Sequence, residues 1–211
     1  MTVTDVSLLP DAGPDTPVDA RVAGGPGTER DLVAAELAAG ELLTALGLPV
    51  DAPSVRATPG RLVRALAEMI TPGEFTATTF PNDEGYTELV LQTGIPFRSL
   101  CEHHMLAFSG TAHVGYLPGE RIVGLSKLAR LVQHHAARPQ VQERLTQQIG
   151  AWLDENLSAR GVGVVLSAEH SCMSLRGVRV SGTRTVTSAW FGALREQPRE
   201  RDAFLTLAGL G

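Results

Sequence analysis

The run Val162-Gly163-Val164-Val165-Leu166-Ser167-Ala168-Glu169-His170-Ser171-Cys172 decides how this chain folds. It is the strongest strand in the sequence, apolar and rich in β-branched valine. Alternation at period two places Val162, Val164, Leu166, Ala168, His170 and Cys172 on one face. The apolar side of that strand therefore runs into an imidazole and a thiol. An ordinary core histidine at 170 is the alternative, and Cys172 two residues on weighs against it.

Working outward, these groups are answered upstream by Cys101-Glu102-His103-His104. Cys101 and His104 are three apart, so one turn of backbone can aim both at a common point. Cys172 would be a third ligand. Three protein ligands with a fourth position left open is the pattern of a catalytic rather than a structural zinc ion. His103 and His170 stand beside the proposed ligands and are left for proton transfer, which imidazole does best near neutral pH. Cys101 and Cys172 are the only cysteines, so a disulfide or two buried thiols is the competing reading. The absence of a basic, apolar leader at the start favours metal over disulfide and leads us to expect a cytoplasmic protein.

The chain has 211 residues, 43% of them hydrophobic, which suits one sizeable domain. No apolar run approaches the ~18 residues that span a bilayer. A formal charge of −5 argues against a general nucleic-acid binder. Residues 1–27 hold four Asp against one Arg, a sum of −3, with four Pro and four Gly. They read as a disordered or loosely attached tail before a domain over 28–211. The remainder sums to −2, so any anion site must come from local clustering of bases.

A first helix is expected from about Thr28, with Asp31 as capping partner and Leu32, Ala35, Ala39, Leu42, Leu43 and Leu46 as its apolar face; Gly47 stops it. Thr58-Pro59 starts a second helix that ends near Ile70 and carries Arg61, a residue type that is usually plain surface there. Residues 28–72 thus form an N-terminal helical pair, 71–86 a long loop, and 87–211 the core. Strands follow at Glu88–Gln92 and Thr111–Tyr116, the latter turning through Pro118-Gly119-Glu120 to Ile122-Val123.

Ser126 is read as the cap of a helix with Leu128, Leu131, Val132 and His135 on one face and Lys127, Arg130 and His134 on another. A helix start with Lys and Arg in its first turns is either an anion site or an amphipathic helix with a basic outer face. Pro139 ends it, and Gln140-Val141-Gln142-Glu143-Arg144 leads into another helix marked by Leu145, Ile149, Trp152, Leu153 and Leu157. Glu143, near its start, is either dipole-stabilised surface or an acceptor for paired N–H donors such as those of guanine. A strand over Thr183–Trp190 and a short helix at Arg201–Leu205 complete the chain.

Several segments together resemble the GTP cyclohydrolase I family. They are Ser99-Leu100-Cys101-Glu102-His103-His104, Gly124-Leu125-Ser126-Lys127, Arg138–Thr146, His170-Ser171-Cys172-Met173 with Arg176-Gly177, Thr185–Ser188, and Arg201-x-x-Phe204-Leu205. The resemblance covers roughly residues 30–207. It implies an α+β tunnelling fold, an antiparallel sheet with helices on one side, and a homodecamer of two face-to-face pentamers with active sites between subunits. It implies zinc held by Cys101, His104 and Cys172, and proton transfer by His103 and His170. It further implies a GTP triphosphate held by Arg61, Lys127, Arg130 and Arg176 with Ser126 near the ribose or phosphates, and a guanine edge bound by Glu143 with Gln142. The implied reaction converts GTP and water to 7,8-dihydroneopterin triphosphate and formate, through attack of metal-bound hydroxide on guanine C8. The alternative is a catalytically altered relative acting in deazapurine or other pterin metabolism. A zinc deaminase is disfavoured, because its H-x-E and P-C-x-x-C patterns are absent. Ala107 and His134-His135-Ala136-Ala137 depart from what the family often carries.

Overall fold

The computed structural model describes residues 30–211. The expected tail over 1–27 and the helix start at Thr28 lie outside the described residues. The chain opens with helices α1 (Leu32–Ala45) and α2 (Thr58–Met69), packed on each other as a hairpin. Asp31 caps α1, its carboxylate accepting from the Ala34 N–H at 2.9 Å. Helix α2 begins one residue earlier than expected, with Ala57 at the cap position and Pro59 inside the first turn, where its missing N–H costs nothing. The leucines expected to bury the face of α1 are largely uncovered: Leu42 and Leu46 are 54% and 67% exposed, and only Ala39 is buried.

The long loop after α2 contains a short strand, β1 (Thr79–Pro81), which pairs with β4 (Arg121–Val123). Four strands make the main sheet with a short fifth: β2 (Val90–Cys101), β3 (Ala107–Leu117), β5 (Pro139–Gln140), β6 (Gly161–His170) and β7 (Thr185–Gly192), in the order β5-β2-β3-β6-β7. β2, β3, β6 and β7 are antiparallel, as expected; β5 adds a two-residue parallel edge that the sequence did not disclose. β2 runs well past its expected end at Gln92, because a bulge between Gln92 and Ile95 absorbs Gly94, whose φ of 67° suits glycine.

Helices α3 (Leu125–Ala136) and α4 (Gln142–Leu157) cover one face of this sheet. Their Leu128, Leu131, Val132, Leu145, Ile149 and Leu153 join Val162, Val164, Leu166 and Ala168 of β6 in one buried core. The alternation read from β6 is thus real over those residues. Val165, on the opposite face, enters a smaller cluster with Leu117 of β3 and with Leu194 and Phe204, which α6 (Ala193–Glu196) and α7 (Pro198–Leu207) supply. The fold is α+β, with the two long core helices on one side of the sheet.

Three local expectations are corrected. β6 stops at His170, and Ser171–Ser174 form a helical turn, α5, so Cys172 is positioned by that turn and not by strand alternation. Gly124, not Ser126, caps α3, and Ser126 makes no capping hydrogen bond. His134 does not share an outer face with Lys127 and Arg130: it is buried, Nδ1 2.8 Å from Gly73 O, its ring tilted against Phe75. Seven residues at about 100° each return to within about 20° of the Lys127 direction, so His134 is on that side of the helix, and whether that side is open there depends on the neighbouring loop. The 73–75 segment closes it.

Candidate functional site

Cys101 ends β2, and the chain turns at once. The His104 and Met105 N–H groups both donate to Cys101 O, at 3.2 and 2.8 Å, and Met105 takes a φ of 52°. The Cys101 N–H donates to Leu106 O at 2.8 Å, closing the turn at the point where β3 starts. This loop swings two imidazoles back toward the buried sulfur: Cys101 Sγ is 3.6 Å from His104 Nδ1 and 3.9 Å from His103 Nδ1.

The loop is also tied sideways. The Glu102 N–H donates to Gln140 O at 3.0 Å, and the Glu102 carboxylate pairs with Arg144 on α4, whose hydrogen bond holds that carboxyl below the usual range. The parallel edge β5 supplies Gln140, so the unforeseen strand is what docks the loop.

From the far side, the end of β6 and the turn α5 bring His170 and Cys172. One ligand atom from each of Cys101, His170 and Cys172 lies within 4.8 Å of the others. Both cysteines are free thiols, which removes the disulfide reading. Burial, and then the Cys101 thiol beside it, push the Cys172 thiol up, while Arg176 opposes the shift. Two sulfurs packed together resist ionising unless a cation joins them, and a divalent ion reverses that preference. Two ligands on one tetrahedral zinc, at ~2.3 Å for sulfur and ~2.05 Å for nitrogen, stand about 3.5 Å apart. The Cys101–His104 pair has that spacing, but the imidazole that the structure groups with both sulfurs is that of His170 and not that of His104. Two thiols with an imidazole are still a donor set whose chemistry fits a divalent metal.

His170 is fixed on two sides. Its ring stacks on Phe108 with centroids 4.4 Å apart and planes 4° from parallel, and its Nε2 is 2.8 Å from Gln142 Oε1. Burial lowers its pKa, and Glu143 pulls the other way. Gln142 itself is 1% exposed, its amide committed to protein partners, whereas Glu143 next to it faces solvent.

The basic residues divide. Arg176 stands close to the cysteines, acting on Cys172 through its charge. Ser126, Lys127 and Arg130 are elsewhere. The Val123 N–H donates to Tyr116 OH at 3.1 Å, so α3 starts beside the Tyr116 end of β3, while the cysteine loop joins the Phe108 end. From Phe108 to Tyr116 a strand covers about 26 Å at ~3.3 Å per residue. Lys127 is half-buried, and that burial, then Arg130, lowers its pKa. Arg61 remains on α2, donating to Ser54 O and Thr58 Oγ1.

The profile of the family described as GTP cyclohydrolase I matches residues 35–209. The chain belongs to the GTP cyclohydrolase I family. It is 46% identical over 187 residues to GTP cyclohydrolase 1 of Rhodopirellula baltica, covering 86% of this chain and 81% of that one. It is 49% identical to the Streptomyces avermitilis enzyme of the same name over 182 residues, covering 83% and 90%. The Mycobacterium tuberculosis GTP cyclohydrolase 1 is 49% identical over 180 residues, covering 82% and 88%. Membership of the GTP cyclohydrolase I family thus spans the helical pair as well as the sheet. Among the described residues no helix is long and apolar enough to cross a membrane.

Sequence reasoning missed Phe108, Gln140 and Arg144 as parts of the site. The polar ones lie within or beside the segments that carried the resemblance, but only tertiary contacts show what they hold.

Proposed function

We propose that this chain is a zinc-dependent GTP cyclohydrolase, converting GTP and water to 7,8-dihydroneopterin triphosphate and formate at the first step of a pterin or folate route. The observation that carries it is the convergence of two free thiols with His170, and of Cys101 with His104, within a chain of this family. Cys101, His104 and Cys172 would hold the ion. When bound, it supplies Lewis acidity that makes water a competent nucleophile near neutral pH.

The rest falls to the protein. His170, braced by Phe108 and Gln142, gives a proton to N7 of the purine as C8 is attacked. His103, exposed at the lip of the turn, assists opening of the ribose before rearrangement and closure of the new ring. Glu143 offers its carboxylate to the N1–H and amino group of guanine, with Gln142 beneath it. Ser126, Lys127, Arg130, Arg61 and Arg176 bind the triphosphate, which undergoes no chemistry and serves to position the base.

Because Lys127 and Cys101 belong to opposite ends of one sheet, we infer that Ser126, Lys127 and Arg130 reach the metal centre from a neighbouring copy. The uncovered leucines of α1 support assembly, and a decamer of two pentamers in the cytoplasm is the form we propose. The test is metal content together with formate release from GTP: about one zinc per chain and formate from GTP but not from guanosine support the reading. Zinc without formate would sink it.

A further inference from the structure

Glu102 ties the turn that follows Cys101 to the rest of the fold twice. Its N–H donates to Gln140 O at 3.0 Å. Its carboxylate accepts from both terminal nitrogens of Arg144, Nη1 to Oε1 at 3.4 Å and Nη2 to Oε2. The bonds among Cys101, His104, Met105 and Leu106 set the shape of the turn but not its angle to the sheet. One hydrogen bond to Gln140 would leave the turn free to swing about it, and a second attachment removes that freedom.

Arg144 is itself held from behind. Gln140 is 0% exposed, and its Nε2 donates to His135 O at 3.0 Å and to Gln148 Oε1 at 2.8 Å. A carbonyl only accepts, so the amide has one orientation and presents Oε1 to Arg144, whose Nε donates to it at 3.0 Å. The guanidinium is planar, so fixing Nε fixes where the other two nitrogens point. Both attachments of the turn therefore lead to Gln140 of β5.

We infer that Arg144 is a positioning residue for the metal: through Glu102 it holds the turn at the angle from which Cys101 and His104 can share an ion with Cys172. The inference rests on the reading of those three residues as the ligands. Cys172 arrives on a different element, α5, so the two halves of the ligand set meet only if the turn faces it. His104 stands 3.6 Å from Cys101 Sγ, outside the group that both sulfurs form with His170, so little further swing can be tolerated. A loose turn would have to be gathered in as the ion binds, which weakens affinity. The ion pair does little for folding itself, because its side chains are 43% and 34% exposed. Its loss is therefore read at the metal and not in stability.

The experiment measures zinc affinity by chelator competition, with thermal unfolding of the zinc-free chain alongside, for wild type, Arg144→Met, Glu102→Ala and the double variant. Each single variant is expected to bind zinc about tenfold or more weakly, with a zinc-free melting temperature within about two degrees of wild type. Because Arg144 acts through Glu102, the double variant is expected to bind zinc within about twofold of the weaker single one. Zinc affinity within about twofold of wild type in Arg144→Met overturns the inference, as do losses that multiply in the double variant. So does a zinc-free Arg144→Met that melts far lower, which would make Arg144 a support of the whole fold. Wild-type protein that binds no zinc overturns the metal reading, and the inference falls with it.

Discussion

His104 Nδ1 lies 3.6 Å from Cys101 Sγ across the turn that ends β2, while His170 Nε2 lies 2.8 Å from Gln142 Oε1. These two imidazoles are therefore held for different work. His104 has the spacing of a ligand, and His170 is restrained by an amide on one side and a ring on the other. His104→Ala and Cys172→Ser should each lower zinc affinity by more than about 100-fold and abolish formate release. His170→Ala should retain zinc and lose turnover. Chelator competition followed by metal analysis checks this, and loss of zinc from His170→Ala would make His170 the ligand.

Lys127→Ala and Cys172→Ser should each be inactive alone, yet regain activity when co-expressed as tagged subunits in one assembly. Random assortment gives about one site in four both native sets, so about a quarter of wild-type formate release is expected. Continued inactivity of the mixed oligomer would place Lys127 and Cys172 in the same chain's site, against the distance along β3.

His135 predicts acid sensitivity. It is 5% exposed, neither ring nitrogen has a hydrogen-bond partner among the described residues, and burial, then Arg138 and His134, drives its pKa down to about 4. The unfolded chain binds its proton near pH 6.5, the folded chain only near 4. Its contribution to stability is complete above the unfolded value and is lost as pH falls through that window, at most about 3 kcal/mol. Urea unfolding from pH 7 to pH 4 should show this slope, and His135→Phe should flatten it. An equal slope in the variant would acquit His135.

Gly110 tests the sheet that carries the site. A Cβ there would stand 1.9 Å from Ser167 O, a backbone atom of the adjoining strand, so β3 and β6 would have to part. Gly110→Ala should cost at least about 3 kcal/mol. Thermal unfolding of the purified variant measures it, and a melting temperature within a degree or two of wild type would contradict the pairing drawn here.

The sequence alone determined the periodic faces of α3, α4 and β6, the Cys101-x-x-His104 spacing, and the family to which the chain belongs. Those are local facts: alternation and i, i+3 spacing state which side of an element is apolar and which ligands one turn can aim. It did not reveal that Cys172 is delivered by a helical turn, that His134 is enclosed, or that β5 docks the metal loop. Nor did it show that α1 leaves its leucines open, or that Gln142 meets His170. Those depend on which distant segments come to lie side by side, which strand register and helix crossing decide and no single stretch encodes. The separation of Lys127 from Cys101 belongs to the same kind: both are legible as binding residues, but only the length of the strand between them makes one chain insufficient.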